Sequence, residues 1–273
     1  MTPIVFLHGF LGTPRAWDEV VRFLEPVGPT DRIPLPGHGA PPWVPGLNGA
    51  PNGERSLRGR TACTTFDDAV DALAGRLADP AHLVGYSMGA RVALGVAARH
   101  PAKVASLVLV GLHPGLEDEV ERRARRAWEE ELAKDLETGD LARFVDAWEK
   151  LPIFATQRDL PDAVRARRRA ERVAHHPAAL AWSLRTLGLG AMPPAWDALA
   201  ALSVPVHLVT GARDDKFTQV ARRALERAPS CLHTAVGGVG HDVALESPRA
   251  LAAVLRSVQR APAAPERQEG AAS

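Results

Sequence analysis

Short apolar runs alternate with amphipathic stretches in the first 112 residues of the chain. Runs rich in Val and Leu predict buried strands, and apolar residues three or four positions apart predict helices between them. The predicted strands cover 3–7, 32–35, 81–85 and 107–110, and the predicted helices cover 17–24, 66–77 (with Thr64 or Thr65 as its cap) and 88–99. Such alternation is typical of βαβ units. We therefore predict an α/β fold built on a mostly parallel, doubly wound sheet.

Between 113 and 192 the alternation gives way to a charged segment rich in Arg, Glu, Ala and Trp. Its spacing is helical, with breaks at Gly139, Pro152, Pro161 and Pro177. We expect this segment to form a helical cap inserted into a core of residues 1–112 and 193–260. The core pattern resumes with predicted strands at 205–210 and 231–236 and predicted helices at 219–227 and 248–258.

Two segments lack periodicity. Residues 44–62 are rich in Gly, Pro, Asn and Arg, and residues 261–273 form a low-complexity tail. We expect the tail to be disordered, and the first segment either to be disordered or to cover the mouth of a pocket.

Composition limits the classes of function. The chain has 273 residues, of which 46% are hydrophobic and 24% charged, which suits one large domain or a core with an insertion. The formal net charge of +1 gives no overall attraction to nucleic acid, and no apolar run reaches the length of a membrane span. Residues 1–8 resemble a buried strand rather than a signal peptide. We expect a cytoplasmic protein in which Cys63 and Cys231 are structural or incidental.

Neither a metal nor an organic cofactor is expected. No His, Cys and Asp residues have the spacing of metal ligands, and no glycine-rich phosphate loop is present. The sequence leaves the oligomeric state open.

The segment Gly85-Tyr86-Ser87-Met88-Gly89 matches the pattern G-x-S-x-G. It follows a predicted strand and precedes a predicted helix, which is the setting of a nucleophile elbow. A serine hydroxyl is unreactive at neutral pH without a hydrogen-bonded base. Ser87 is therefore the candidate catalytic serine.

The partners of Ser87 should follow it in the order acid, then histidine. Asp214 comes just after the predicted strand 205–210, and His241 lies in the loop after the next strand. Both therefore lie at the carboxyl ends of strands, where doubly wound sheets bind ligands. Asp215 is the rival for the acid; we favour Asp214 because Asp215 is placed to cap the next helix.

Two backbone N–H groups are candidates for an oxyanion hole. His8-Gly9-Phe10 follows the first strand, so the N–H of Phe10 is expected to face the same point as the N–H of Met88. Paired donors of this kind stabilise negative charge that develops during a reaction.

Arg91 is one helical turn beyond Ser87 and is expected on the same face of the helix. A guanidinium there would bind a carboxylate, although a structural salt bridge to an acid of the 113–192 segment is the alternative. Further arginines in that segment are expected mostly on solvated faces paired with Glu117, Glu119, Glu129 and Glu130. If one or two of them faced the pocket, a small polycarboxylate would be the preferred substrate.

The chain resembles the α/β-hydrolase superfamily and, within it, the 2-succinyl-6-hydroxy-2,4-cyclohexadiene-1-carboxylate synthases of menaquinone biosynthesis. The likeness runs nearly end to end. It is carried by the motifs at 7–12 (LHGFLG), 35–39 (LPGHG), 85–91 (GYSMGAR), 113–116 (HPGL), 148–154 (WEKLPIF), 188–190 (GLG), Trp196 and 214–217 (DDKF).

This resemblance implies a lyase of α/β-hydrolase fold that eliminates pyruvate from a succinylated enolpyruvyl cyclohexene carboxylate. Ser87 would then act as the base, with its proton relayed to His241 and the imidazole oriented by Asp214. The oxyanion site would hold enolate-like charge that develops on the substrate carboxylate. Substrate would be bound by residues that match family positions: Arg91, Arg125, Arg172, Tyr86 and Trp148.

Two other functions remain open on the residues alone. The same triad would serve a carboxylesterase or a C–C-bond hydrolase in which Ser87 is a nucleophile, since one fold hosts many reactions. A protein of hydrolase fold that binds a ligand without catalysis would require a broken triad.

Overall fold

Six parallel strands form the central sheet. The computed structural model describes residues 2–24, 28–39, 42–44, 63–77 and 80–260. In chain order the strands are β1 (Ile4–Leu7), β2 (Thr30–Ile33), β3 (Ala81–Tyr86), β4 (Val104–Val110), β5 (Val206–Gly211) and β6 (Leu232–Val236). They are arranged as β2-β1-β3-β4-β5-β6, and every pair of neighbours is parallel. The predicted parallel α/β sheet is confirmed.

Helices connect the strands and cover the sheet. In chain order they are α1 (Asp18–Leu24), α2 (Phe66–Ala74), α3 (Met88–Arg99), α4 (Glu119–Thr138), α5 (Leu141–Trp148), α6 (Asp162–Val173), α7 (Pro177–Leu187), α8 (Trp196–Ala201), α9 (Asp215–Arg227), α10 (Val243–Glu246) and α11 (Pro248–Arg260). Short 3₁₀ segments lie at Pro14–Trp17, Pro101–Lys103 and Pro152–Asp159. No helix within the described ranges is both long and apolar enough to cross a membrane.

The sheet buries both of its faces. Side chains alternate along each strand, so Val5 and Leu7 pack into one apolar cluster while Ile4 and Phe6 pack into another. The first cluster includes residues of α2, α3, α8 and α9, and the second includes residues of α1 and α11. The prediction of a doubly wound sheet is therefore correct.

Two strands differ from their predicted bounds by two or more residues, and each difference has a local reason. β2 ends at Ile33, and Leu35 lies beyond it in a turn, where its N–H donates to His8 Nε2 at 3.1 Å. β4 begins at Val104, three residues before the predicted start, because its polar Ser106 is accommodated in the sheet by a 2.7 Å hydrogen bond with His82 Nδ1.

The helices begin and end at the capping, glycine and proline residues that the sequence analysis identified. Thr65 caps α2, and a reciprocal capping box with Asp68 resolves the choice between Thr64 and Thr65. Gly139 ends α4, Pro152 begins a 3₁₀ segment, Pro161 precedes α6 and Pro177 begins α7. Of the two segments predicted to lack regular structure, 44–62 and 261–273, Val44 is described and is buried, and residues 45–62 and 261–273 lie outside the described residues.

A buried carboxylate joins two parts of the helical segment 113–192. Glu129 of α4 accepts hydrogen bonds from the N–H groups of Leu189 and Gly190, both at 2.9 Å, and from Arg125 Nε at 2.7 Å. Only 3% of Glu129 is exposed, so its charge depends on these donors. The interpretation of Glu129 as part of a solvated face is therefore wrong: α4 turns this carboxylate toward the chain that follows α7.

We expect Glu129→Ala to lower the free energy of unfolding by about 3 kcal/mol, because two buried N–H groups and a guanidinium lose their acceptor. Glu130→Ala is the matched control: the neighbouring carboxylate pairs with Arg185 on an exposed surface, and its loss should cost less than about 1 kcal/mol. Equal effects in urea denaturation of the two variants would contradict this account.

A second stability prediction concerns His8, which is fully buried. Its Nδ1 donates to Gly9 O at 2.8 Å and its Nε2 accepts from Leu35. Burial lowers the pKa of His8 to about 3, so the native ring stays neutral where the unfolded ring takes up a proton. The stabilisation is complete above the unfolded pKa near 6.5 and is lost as pH falls toward 3.

Between pH 6.5 and 4.5 this difference should cost about 2 kcal/mol. We expect His8→Gln, which keeps a donor and an acceptor but does not titrate, to make that part of the stability profile shallower; the buried His38 beside it, whose pKa is also lowered, keeps a residual slope. Urea denaturation of both proteins at intervals of pH measures the slopes. Identical slopes would mean that His8 is not the titrating group.

Candidate active site

Ser87 occupies a strained turn between β3 and α3. Its backbone φ is 52° with ψ at −108°, a conformation that costs energy for any residue other than glycine. A Cβ on Gly89 would lie 2.2 Å from Leu7 O, and a Cβ on Gly85 would lie 2.4 Å from Gly89 O. The glycines of the predicted elbow are therefore required by contact of α3 with β1 and with the end of β3.

The three side chains predicted to act together are hydrogen-bonded in series. His241 Nε2 lies 3.1 Å from Ser87 Oγ, and His241 Nδ1 lies 2.7 Å from Asp214 Oδ2. The carboxylate fixes the proton on Nδ1, which leaves the lone pair of Nε2 free to accept the serine proton. This arrangement can raise the basicity of the Ser87 oxygen at neutral pH.

The two carboxylate oxygens of Asp214 have different partners. Its Oδ2 accepts from His241, while its Oδ1 accepts from the N–H of Phe217 at 3.3 Å and so caps α9. Asp215 is the first residue of that helix and is exposed. The choice of Asp214 over Asp215 agrees with this geometry. The expectation that Asp215 caps the helix is wrong, because Asp214 itself is the cap.

The His241 ring is enclosed on several sides. The ring of Phe217 lies 4.3 Å away between centroids, and Tyr86 and Phe154 lie at 5.3 and 6.3 Å. Gly111 has a φ of 60°, and a Cβ there would lie 2.6 Å from the His241 ring. The imidazole is 2% exposed and has little freedom to leave the serine.

The N–H groups of Phe10 and Met88 are free to bind an anion. In the described part of the chain neither donates to a protein acceptor. The loop that carries Phe10 is shaped by Leu11, whose φ is 58° and whose N–H donates to His38 Nε2 at 3.2 Å. Phe10 and Met88 both line the cavity that contains Ser87 Oγ and the His241 ring.

That cavity, here called the Ser87 cavity, has a volume of about 130 Å³. Its apolar wall includes Phe10, Trp148 and Phe154. Its charged groups are three cations and one carboxylate from four different positions in the chain: Arg91, Arg125, Lys216 and Glu129. His113 adds a ring whose pKa is lowered to about 4 by burial and by Arg91, so it carries no charge at neutral pH.

Arg91 faces the Ser87 cavity without a carboxylate partner in the part of the chain that the structure describes. It is 8% exposed, and its Nε makes no hydrogen bond with a described residue. Burial lowers the pKa of Arg91 to about 10, and Glu129 opposes this shift. The guanidinium therefore remains charged at neutral pH, and a charge buried without a partner is costly unless a ligand supplies one.

Two residues predicted from the helical segment also line the Ser87 cavity. Arg125 pairs with Glu129 and lies over the ring of Trp128, 4.5 Å from its centroid. Trp148 lies 5.1 Å from the ring of Phe10 and 5.9 Å from that of Phe154. Trp148 thus forms an apolar wall between the loop after β1 and the helical segment.

The other two predicted substrate-binding residues lie outside the lining of the Ser87 cavity. Tyr86 supports the underside of His241, and burial raises the pKa of its phenol well above the ordinary value. Arg172 pairs with Glu149 at 2.6 Å and lines an adjacent cavity of about 400 Å³ behind Phe154. The structure does not bring Arg172 to the Ser87 hydroxyl.

Sequence reasoning did not predict that Glu129 and Lys216 line the Ser87 cavity, or that Arg168 forms an ion pair beside His241. Arg168 of α6 pairs with Asp242, the neighbour of His241, at 3.3 Å in a buried contact. Lys216 had a usable signal, because it follows Asp214 by two residues. Arg168 had no usable signal, because four of the five residues from 165 to 169 are arginines and nothing distinguishes Arg168 among them. No metal-binding group of three His, Cys, Asp or Glu side chains occurs in the described ranges.

Comparison with known proteins identifies the family. Residues 4–254 match the model described as "Alpha/beta hydrolase family". A curated 2-succinyl-6-hydroxy-2,4-cyclohexadiene-1-carboxylate synthase from Enterobacter sp. (strain 638) is 32% identical over 265 residues, covering 94% of this chain and 91% of that protein. A putative synthase of the same name from Bacillus subtilis is 32% identical over 251 residues, covering 90% and 86%.

A solved structure gives the same result. The structure titled "Structure of MenH from S. aureus" has a TM-score of 0.82 and 29% identity, covering 94% of this chain and 92% of that one. The resemblance inferred from the motifs is confirmed. The chain belongs to the alpha/beta hydrolase family and, within it, to the family of the 2-succinyl-6-hydroxy-2,4-cyclohexadiene-1-carboxylate synthases.

Proposed function

We propose that this protein is a lyase that releases pyruvate from 2-succinyl-5-enolpyruvyl-6-hydroxy-3-cyclohexene-1-carboxylate and forms 2-succinyl-6-hydroxy-2,4-cyclohexadiene-1-carboxylate. One observation carries the proposal beyond the names of its relatives. The Ser87–His241–Asp214 series opens into a cavity with three cations and one carboxylate, which suits a substrate with several carboxylates.

The reaction is a 1,4-elimination without hydrolysis. The proton on ring carbon 2 is removed, and its bonding electrons form a double bond to carbon 3. The former double bond between carbons 3 and 4 moves to carbons 4 and 5, and the bond from carbon 5 to oxygen breaks. The enolate of pyruvate leaves and takes up a proton.

In this proposal Ser87 is the catalytic base and His241 receives its proton. The serine oxygen alone is far too weak a base, so removal of the substrate proton is coupled to transfer from Oγ to Nε2. Asp214 then stabilises the imidazolium. The 3.1 Å separation between Oγ and Nε2 supports this transfer, and the 2.7 Å contact between Nδ1 and Asp214 Oδ2 supports the stabilisation, both without movement of the backbone.

The N–H groups of Phe10 and Met88 would hold the charge that develops on the substrate. Ring carbon 2 carries the ketone of the succinyl group, so the electrons from the broken bond delocalise onto the ketone oxygen. This differs from the expectation that the charge develops on a carboxylate. A ketone oxygen facing two N–H donors gains most when it becomes an enolate.

Arg91 and Arg125 would bind substrate carboxylates, and Trp148 would pack against the ring. Tyr86 supports His241 in this proposal and does not contact substrate. Arg172 is assigned to packing of the helical segment through Glu149. That segment then serves as a cap, since Trp148 and Arg125 close the Ser87 cavity from above α3.

The competing activity is ester or C–C-bond hydrolysis with Ser87 as nucleophile. The unpaired Arg91 favours elimination from a polyanion, because a neutral ester would leave the buried guanidinium without a partner. Rapid cleavage of short p-nitrophenyl esters, with no release of pyruvate from the succinylated precursor, would establish the hydrolase instead.

We expect Ser87→Ala, Asp214→Asn and His241→Ala each to lower kcat for pyruvate release by about 10²–10⁴-fold, because each removes one member of a proton relay. Pyruvate is measured by a coupled assay with lactate dehydrogenase. Circular dichroism of each variant controls for folding. Full turnover by Ser87→Ala would show that Ser87 is not the catalytic base.

We expect Arg91→Met to raise KM by about 10–100-fold, the value of a charge-assisted hydrogen bond to a carboxylate. The change in kcat should be smaller. Arg99→Met is the matched control, because Arg99 ends the same helix on the surface and pairs with Asp67 and Asp71. Unchanged KM in Arg91→Met would show that Arg91 does not bind substrate.

A further inference from the structure

A second cavity of about 540 Å³, here called the mouth cavity, adjoins the Ser87 cavity. Five residues line both cavities, and we infer that the passage between the cavities lies among them: Arg125, Trp128, Leu151, Ile153 and Lys216. Of these, only Arg125 and Lys216 carry a charge. Any ligand that extends from Ser87 into the mouth cavity passes between these two cations.

The two cations differ in how their charge is compensated. Arg125 pairs with the buried Glu129 and lies over Trp128. Lys216 is exposed, and no carboxylate of the described residues lies within ion-pair distance of its ammonium group. Lys216 is therefore the cation at this passage that is not already paired with a carboxylate of the described residues; Asp214 and Asp215 also line the mouth cavity.

Lys216 is also close to the reacting groups. It is the second residue of α9, two positions after Asp214, and its Nζ lies 6.0 Å from the centroid of Phe217. The ring of Phe217 lies 4.3 Å from that of His241. The charge of Lys216 contributes to the lowered pKa of His113, which lines the Ser87 cavity.

The size of the proposed substrate favours use of this passage. Pockets that enclose ligands of this size have volumes of roughly 300–1,000 Å³, and the Ser87 cavity, at about 130 Å³, is smaller. The mouth cavity shares five lining residues with the Ser87 cavity, whereas the adjacent 400 Å³ cavity shares Phe154 with it. We therefore expect an arm of the substrate that ends in a carboxylate to extend into the mouth cavity.

We propose that Lys216 is a substrate-binding residue whose ammonium group pairs with the carboxylate of the arm that extends into the mouth cavity. This inference rests on the proposed function and deepens it. Arg91 binds a carboxylate at the inner end of the substrate, and Lys216 binds one at the outer end. Together they hold the ring across Ser87 and reject substrates with a single carboxylate.

The test compares Lys216→Met with Lys216→Arg in the full-length enzyme, with pyruvate release measured over a range of substrate concentrations. We expect Lys216→Met to raise KM about 10-fold with kcat changed less than about threefold, as for loss of one charge-assisted contact. Lys216→Arg, which retains the charge, should restore KM to within about threefold of the wild type. Lys150→Met, which removes a lysine from the adjacent 400 Å³ cavity, is the matched control and should leave KM unchanged.

A binding measurement separates this inference from the proposed function. Trp128 and Trp148 line the Ser87 cavity, so their fluorescence reports substrate binding. We expect substrate to bind about 10-fold more weakly to Ser87→Ala/Lys216→Met than to Ser87→Ala. Binding that depends on Lys216, without pyruvate release by the wild type, would overturn the function and support the inference. Pyruvate release with KM and affinity independent of Lys216, or with Lys216→Arg as impaired as Lys216→Met, would overturn the inference alone.

Discussion

The close contact between the first turn of α3 and the end of β1 determines the geometry of the site. Gly89 lies against the carbonyl groups of Leu7 and His8, which leaves no space for a side chain. This contact holds Ser87 at a positive φ at the top of the sheet. It also brings the start of α3, with the N–H of Met88, beside the loop that carries the N–H of Phe10. One backbone contact thus positions both the Ser87 hydroxyl and the two backbone N–H groups.

The parallel sheet brings together the three hydrogen-bonded side chains of the candidate site. Ser87, Asp214 and His241 follow β3, β5 and β6, and the carboxyl ends of parallel strands meet at one edge. The Ser87 N–H donates to Val110 O and the Arg213 N–H to Val239 O, so neighbouring loops are joined by backbone hydrogen bonds. The proposed relay would need no rearrangement, because the loops that carry these side chains are already connected.

Charge is distributed unevenly between the two walls of the Ser87 cavity. Glu129 compensates Arg125, whereas Arg91 and Lys216 have no carboxylate partner in the described part of the chain. A buried guanidinium without a partner costs stability, and a polyanionic ligand removes that cost on binding. In the proposed function, binding of the polyanionic substrate would also neutralise the charge of the cavity.

The sequence by itself determined the sheet, the elbow and the order of Ser87, Asp214 and His241. These features rest on local patterns: apolar periodicity, glycines at fixed offsets and polar residues at strand ends. The breaks of the helical segment were also predictable, since Gly and Pro limit helices wherever they occur. Helical spacing extended this to Arg91, and the family motifs extended it to Arg125 and Trp148; all three line the cavity.

Only the tertiary structure decided which charged side chains of the helical segment face inward. Arg168 and Arg172 lie one helical turn apart in a basic run, yet Arg168 reaches Asp242 beside His241 while Arg172 pairs with Glu149. Glu129 and Glu130 are neighbours, and one is buried while the other is on the surface. Helical spacing gives the relative directions of such residues but not the rotation of the helix against the core. That rotation is set by long-range packing, which a local pattern does not contain.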